Sequence, residues 1–499
     1  MSSVPPFETH SVENQPPSFE PRDLWADDVV LREAVAREGA GVFVEPLRRY
    51  AMLAGDELYR IGFDANRDKP RLKTHDRYGH RIDTVEFHPA YHRLMHAAKE
   101  HGVAGLSWHQ QQPGGHVARA ALSYLHHQVE SGTSCPLTMT HAAVPVLRRE
   151  PALHDWADKA AAPVYDPRDI PIAEKAGVTL GMGITEKQGG SDVRSNTTVA
   201  TPLAGEGEYA LVGHKWFFSV PQADGHLVLA REHEQFSCFL MPRYTEYGLN
   251  RRYIRRLKDK LGNRSNASAE IDFDGALAWR VGQAGRGIAL LAGMAARTRI
   301  DCVLGSAALM RQALVQSLHY CQHRRCFGKQ LIEQPLMQAV LLDMSLESEA
   351  ATHLALFLVD LQERADDPVA QAVLRVLAPA AKFWVCRRAI ALCAEAMETW
   401  GGNGYIEDGP MPRLLREAPV NSIWEGSGNV MCLDVQRALS QEGVLEALQA
   451  DLRARTGDDA ELGQAAQDLL STVSQAGGRV WTQKLALLYQ ACLMRELAP

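Results

Sequence analysis

The stretch Asn421-Ser-Ile-Trp-Glu-Gly-Ser-Gly-Asn429 sets one carboxylate, Glu425, behind the bulky Ile423 and Trp424 and ahead of Gly426, Ser427 and Gly428. Apolar neighbours desolvate a carboxylate and raise its pKa, while bare backbone lets it approach a flat ligand, and a general base needs both. A surface turn has the same composition, so other residues must decide. Gly183-Ile-Thr-Glu-Lys-Gln-Gly-Gly-Ser-Asp192 surrounds two glycines with hydroxyls, an amide and charge, which suits an anion or a heteroaromatic edge. Gly213-His-Lys-Trp-Phe-Phe-Ser219 offers three aromatics and a hydroxyl, able to cover a planar ring and bond its edge; strand packing accounts for at least one of the three. Tyr320-Cys-Gln-His-Arg-Arg-Cys-Phe-Gly328 places paired arginines at a helix stop, equipment for a pyrophosphate or a solvated helix end. Trp400-Gly-Gly-Asn-Gly-Tyr405 adds a second glycine cluster, which could equally be a C-cap.

Two further patterns have metal-like spacing. His88, His92 and His96 form an i, i+4, i+8 column, and His319, His323 and Cys326 share one stretch. Neither brings an acidic partner or a fourth ligand, so the first reads as a solvated polar face, the second is set aside, and no metal site is expected. The nine cysteines include no CxxC pair and read as reduced core residues, Cys386 and Cys393 among them.

These residues need a frame to hold them. A chain of 499 residues, 46% hydrophobic and 23% charged, buries a large core divided among domains. A formal charge of -7 excludes a general polycation drawn to nucleic acid or anionic lipid. No run approaches the length of a transmembrane helix and the N-terminus is no secretory signal, so a cytoplasmic protein without membrane contact is expected. The proline-containing segment Thr9 to Pro21 reads as an arm lying on another part of the molecule. Helical periodicity over Val29 to Ala54, Tyr91 to Ala98, Val117 to Val129 and Ala152 to Ala162, broken at Pro113, Pro136 and Pro163, predicts an all-helical region.

Between Gly177 and Val281 aromatic and β-branched runs predict strands at Tyr209 to Val212, Lys215 to Val220, His226 to Ala230, Phe236 to Met241 and Ala269 to Phe273. Long apolar stripes then predict an antiparallel bundle, followed by a more polar helical region, Gln441 to Met494, with a turn at Thr456 to Asp459. The expected fold is α+β, mainly α: an arm and helical domain at 1–175, a β-barrel or sandwich domain at 176–285, a four-helix bundle at 286–440 and extra helices at 441–499.

In this order and on this layout the motifs resemble the acyl-CoA dehydrogenase family over roughly Gly102 to Arg437. The resemblance is carried by Thr185-Glu186 with Gly190-Ser191-Asp192, Lys260-Leu-Gly-Asn-Arg264, Arg324 with Phe327-Gly328, Gly401-Gly402 with Gly404-Tyr405, and Trp424-Glu425-Gly426-Ser427. It implies FAD held outside any Rossmann domain, consistent with the lack of a GxGxxG fingerprint after a strand. Met182, Thr185, Gly190, Ser191, Phe217 and Ser219 would then line the isoalloxazine ring, with Phe217 where the family usually has Trp. Trp424 would wall the ring pocket, and Gly426 and Ser427 would touch the flavin. Arg324 and Phe327 would reach the FAD of a neighbouring subunit, and Gly401 and Gly402 its pyrophosphate or adenosine part, which implies a homotetramer. Glu425 matches the base that takes the α-proton of an acyl-CoA while the β-hydride leaves to flavin N5. The family's alternative base position is Thr298 here, and Arg299 matches an arginine neighbouring the base. An electron-transfer partner is implied as well.

Glu398 stands where the family commonly has Gln, and Gln334-Pro335 shifts another Gln contact. Thr9 to Pro17, Cys135 to Thr140, Glu186 to Asp192 and Pro419 to Asn429 resemble the AidB-like (adaptive alkylation response) branch. That resemblance implies an alternative function: a DNA-binding flavoprotein protecting DNA from alkylation, with vestigial dehydrogenase activity. Its DNA contact would be a basic C-terminal region, yet residues 437–499 hold six basic against eight acidic side chains, which weakens the alternative. Arg251 to Arg264 is the most basic stretch and reads as a solvated edge.

Overall fold

The computed structural model describes residues 10–205 and 207–496; Thr9, Glu206 and residues 497–499, on which parts of the arm and C-terminal expectations fall, lie outside the described residues together with residues 1–8. The arm lies on the far end of the first long bundle helix. Asn14 donates to the Arg325 carbonyl at 2.9 Å, the His319 ring bonds the Pro17 carbonyl at 2.9 Å, and Phe19 stacks on His319 with centroids 4.2 Å apart.

Helices Val29–Arg37, Val44–Leu53, Tyr59–Arg67, Pro89–Glu100, Gly115–Val129, Ser131–Leu147 and His154–Ala161 build the N-terminal region. Two expectations fail there. The region is not all-helical, because strands β1 (Arg71–His75) and β2 (Arg81–Glu86) form an antiparallel hairpin. Its turn is set by Asp76, whose carboxylate accepts from the Tyr78 and His80 amides, and by Gly79 at φ 86°. Pro136 breaks no helix; it lies with Pro145 inside Ser131–Leu147. That helix is buried along almost its whole length, and tertiary packing outweighs the lost backbone bonds.

The middle domain contains β3 (Leu180–Gly183), β4 (Val199–Pro202), β5 (Glu208–Ser219), β6 (Gly225–Glu232), β7 (Gln235–Pro242), β8 (Tyr244–Thr245), β9 (Gly248–Leu249), β10 (Arg252–Leu257) and β11 (Ser268–Val281). The two strands expected at 209–220 are one, β5. The pairings β11–β5–β4–β6–β7–β11 close on themselves into a barrel, with β3 beside β6 and β10 beside β11. Leu211, Phe218, Val228, Phe239 and Ile271 fill its interior. Leu180, Leu227, Leu229 and Leu240 point outward onto Val144, Trp156, Leu291 and Met294, and this second core joins the barrel to the helices on either side.

Helices Gly287–His323, Pro335–Glu363 and Pro368–Thr399 form the bundle, against which Met411–Asn421 and Gly428–Leu439 pack. Pro368–Thr399 corrects the expectation about membrane-length runs: it is long and apolar enough to span a membrane by length and composition, with 67% of the relevant window buried inside the protein. Helices Val444–Thr456, Ala460–Ser471 and Arg479–Arg495 continue the same core through Leu448, Trp481, Leu485 and Tyr489.

Candidate functional site

Helix Met411–Asn421 ends just before the segment that carries Glu425, and the next helix starts at Gly428, so Glu425 sits in the tight connection between them. Its φ is 59°, a left-handed conformation that costs a non-glycine residue roughly 1–3 kcal/mol, and Gly426 follows at φ 106°. The surrounding groups hold it there. Lys382, buried on the third bundle helix, donates to the Asn421 carbonyl at 3.0 Å and the Gly426 carbonyl at 2.8 Å, clamping both ends of the turn. Arg299 Nε donates to the Glu425 carbonyl at 2.8 Å while its Nη1 pairs with Asp434 at 2.8 Å. Trp424 Nε1 donates to Asn421 Oδ1 at 3.1 Å.

The Glu425 carboxylate accepts from Thr298 Oγ1 at 2.7 Å. Burial raises its pKa, and the Thr298 hydrogen bond with the charges of Lys382 and Arg299 pulls it partly back. Thr298 also donates to the Ala295 carbonyl at 3.1 Å, so its single proton serves either acceptor. With Glu425 ionised it turns to the carboxylate; with Glu425 protonated it can turn to Ala295 and accept the carboxyl proton. The Glu425 amide N–H meets no backbone acceptor among the described residues. The site thus presents a desolvated base and a free amide donor a few ångströms apart.

Glu425, Trp424, Thr298 and Ser219 line one cavity, with a wall from the start of helix Ser131–Leu147. Ser219 ends β5, and its Oγ is 3.4 Å from Ser268 Oγ on β11. Of the three aromatics before it, Phe218 is barrel core, stacked on His226, while Phe217 is 56% exposed with Lys258 Nζ 4.7 Å from its ring centre. Met182 is buried on β3. Thr185 packs on Gly190, where an added Cβ would come within 2.7 Å of its Oγ1, and Ser191 beside it is exposed. Glu186 does a different job: it is inaccessible, paired with Lys215 at 2.8 Å and bonded to the Thr197 and Thr198 amides, and so pins the loop that carries Thr185 and Gly190.

Arg324, Phe327, Gly401 and Gly402 line no part of that cavity. They form a second group at the other end of the bundle, where Tyr320 stacks on Trp400 with centroids 4.8 Å apart. Arg324 Nη1 donates to the Asn14 carbonyl, Phe327 is 94% exposed, and open space surrounds the positions where Gly401 and Gly402 would carry a Cβ. Gly426 and Ser427 lie in the Glu425 turn, Ser427 as the N-cap of the following helix.

Among the described residues no cluster could hold a metal. His88 caps its helix, His92 bonds Tyr165 at 2.9 Å, and His96 pairs with Glu100. Four of the seven cations of the basic stretch are paired across the β10–β11 ladder: Arg251 with Asp274, Arg255 with Asp272, and Arg256 and Lys258 with a shared Glu270. Lys382, Asp301 and His127 are site residues that the sequence reading missed. A buried lysine in an apolar helical stripe is the signal that could have exposed the first.

Comparison with known proteins places this geometry. Residues 14–167 match the adaptive response protein AidB N-terminal domain, 181–276 the acyl-CoA dehydrogenase middle domain and 285–440 the acyl-CoA dehydrogenase C-terminal domain. The AidB protein of Escherichia coli (strain K12) is 46% identical over 97% of this chain and 91% of its own length. Acyl-CoA dehydrogenase family member 11 of Caenorhabditis elegans is 31% identical over 85% of this chain and 72% of its own. The crystal structure of Caenorhabditis elegans ACDH-11 in complex with C11-CoA superposes with a TM-score of 0.88 at 28% identity, covering 98% of this chain and 89% of that one. The helical, barrel and bundle order agrees with these matches along nearly the whole chain, and the chain belongs to the acyl-CoA dehydrogenase family of oxidoreductases, in its AidB-like branch.

Proposed function

We propose that this protein is an FAD-dependent dehydrogenase of an acyl-CoA or related acyl thioester, with Glu425 as its base. The observation that carries the reading is the half-buried Glu425 carboxylate, held by Thr298 and lining a cavity that Ser219 also lines. Family membership motivates FAD, and the residues fit a planar cofactor. Phe217 exposes an aromatic face, Thr185 and Ser219 offer hydroxyls, and Gly189, Gly401 and Gly402 leave open space at their Cβ positions. Bound FAD would accept hydride. The protein's own residues do the rest. Glu425 takes the α-proton, Thr298 and Arg299 hold its carboxylate and its backbone in place, and the Glu425 N–H is available to the thioester carbonyl oxygen as negative charge develops.

Exposed Phe327 and Tyr405 beside Gly401 and Gly402 support self-association as a homotetramer in which this end of the bundle meets a neighbour's cofactor. Nine unpaired cysteines, eight of them buried, favour a reducing compartment, the cytoplasm. An electron-transfer partner would reoxidise the flavin. Anaerobic mixing of flavin-loaded protein with short, branched and straight-chain acyl-CoAs should bleach the flavin, and Glu425→Gln should abolish bleaching; no bleaching with any of them refutes the proposal. The AidB-type N-terminal domain keeps DNA protection as a second reading. The paired arginines of β10 count against it, and duplex binding that weakens steeply with salt would restore it.

A further inference from the structure

Asp434 lies on helix Gly428–Leu439, which follows the Glu425 turn, and its buried carboxylate is shared by three arginines. Arg299, from the first long bundle helix, donates through Nη1 to Oδ2 at 2.8 Å. Arg375, from the third, donates through Nη2 to Oδ1 at 2.9 Å and through Nη1 to Oδ2 at 3.2 Å, and Arg437 on Asp434's own helix donates to Oδ1 at 3.2 Å. Burial alone would raise the Asp434 carboxyl, but the bonds and charges of Arg375, Arg299 and Arg437 outweigh it and hold the group below its ordinary range. Arg299 alone of the three goes on to the active turn. Its Nε donates to the Glu425 carbonyl at 2.8 Å, and its Nη2 lies 3.6 Å from where a Cβ on Gly426 would stand, with no hydrogen-bond partner among the described residues. Among the described residues its ion pair goes to Asp434 and not to the Glu425 carboxylate, which is bonded by the neutral Thr298.

That division matters for a base. A guanidinium on the backbone carbonyl steadies a residue whose φ is 59°, whereas the same guanidinium on the carboxylate would lower its pKa by about 1–3 units and weaken it as a proton acceptor. The carboxylate is also the stronger attractor, because a hydrogen bond between two charged groups is roughly twice as strong as a neutral one. Asp434 supplies a competing carboxylate, and with Nη1 and Nε both engaged the planar fork has its orientation fixed. The other charged groups around the turn are committed elsewhere. Lys382 donates to the Asn421 and Gly426 carbonyls, Asp301 accepts from Arg119 and Thr138, and Glu417 accepts from Asn66 and from the Asn263 amide. Cys135, Cys302 and His127 line the same cavity, and burial favours the uncharged form of each. Resting on the reading of Glu425 as the base, we propose that Asp434 is a positioning residue acting through Arg299: it keeps that guanidinium on the backbone carbonyl of the base and off its carboxylate.

The test uses full-length, flavin-loaded protein. Protonation of Glu425 is read without substrate, as the protonated-carboxyl infrared band that Glu425→Gln removes, titrated against pH. Asp434→Asn keeps the side chain's size and removes its charge, and it should move that titration to lower pH by about 1–3 units as Arg299 turns to the carboxylate. Asp434→Glu should leave the titration near its original position. Introduced into Arg299→Gln, Asp434→Asn should leave it unmoved, since no guanidinium remains to be redirected. The alkaline plateau of anaerobic flavin reduction by butyryl-, isovaleryl- and octanoyl-CoA should fall in Asp434→Asn by about tenfold for each unit, with KM little changed. A titration unmoved or moved upward in Asp434→Asn overturns the inference, and so does an equal downward shift with and without Arg299, which would mean that Asp434 acts directly through space. If Asp434→Asn does not fold, Asp434→Asn with Arg375→Gln, which restores the net charge of the cluster, is titrated in its place. Failure of all three thioesters to reduce the unmodified flavin counts against the dehydrogenase reading, while the infrared titration still decides how Asp434 acts on Glu425.

Discussion

Replacing Thr298 by Val keeps the volume at the base and removes its hydroxyl. The bond lost is the 2.7 Å donation to Glu425 Oε2, and it stabilises the ionised carboxylate. A hydrogen bond to a charged group contributes about 1.5–3 kcal/mol, and each pK unit corresponds to about 1.36 kcal/mol, so the Glu425 pKa should rise by about 1–2 units. Thr298 is buried, so water is poorly placed to substitute for it, and burial, the first cause of the raised pKa, is unchanged. Proton abstraction requires the ionised form. The acidic limb of the pH profile for anaerobic flavin reduction should therefore move to higher pH by those 1–2 units. Below the limb the rate should fall about tenfold or more, while the plateau on the alkaline side should be largely retained. Thr298→Ser should restore the original limb, because serine keeps the donor. A limb that stays in place while the plateau falls would refute the reasoning, since it would mean that Thr298 shapes the site without bonding to the carboxylate.

Two other perturbations follow from the same electrostatics. Burial and the nearby Glu130 push Glu417 up to about 7, so its folded pKa exceeds its unfolded value. Its contribution is fully present below the unfolded pKa and is lost as pH rises through the folded one, by about 3 kcal/mol at about 1.36 kcal/mol per unit. Thermal denaturation from pH 5 to pH 8 should show this decline, and Glu417→Gln should flatten it; an unchanged slope would rule Glu417 out as its source. The inaccessible Lys215–Glu186 pair should tolerate joint replacement better than the loss of one member. Lys215→Met alone should cost about 3–5 kcal/mol in denaturant unfolding, and Lys215→Met with Glu186→Met should recover much of that. Equal losses in the single and double variants would show that the pair is not coupled.

The sequence alone determined whatever depends on near neighbours along the chain. Helical periodicity located the bundle helices, alternation located most barrel strands, and the placing of Glu425 between Ile423, Trp424 and Gly426 marked it as a desolvated carboxylate. The order of the motifs carried the family and the fold. Local signals failed where distant packing overrules them. The hairpin β1–β2 lies within otherwise helical sequence, Pro136 sits inside a helix that its buried surroundings hold together, and β10 is held by cross-strand ion pairs to β11 that engage four of the seven cations of a basic run. The tertiary structure alone decided what surrounds the base. Thr298, at the family's other base position, turned out to be the donor to Glu425, across a separation of 127 residues. Lys382 clamps the turn from another helix, and His127 and Asp301 line the same cavity from helices distant in sequence. A pKa, a clamp and a pocket lining are sums over groups that meet only on folding, because electrostatic and hydrogen-bonding energies depend on distance in space and not on separation in sequence.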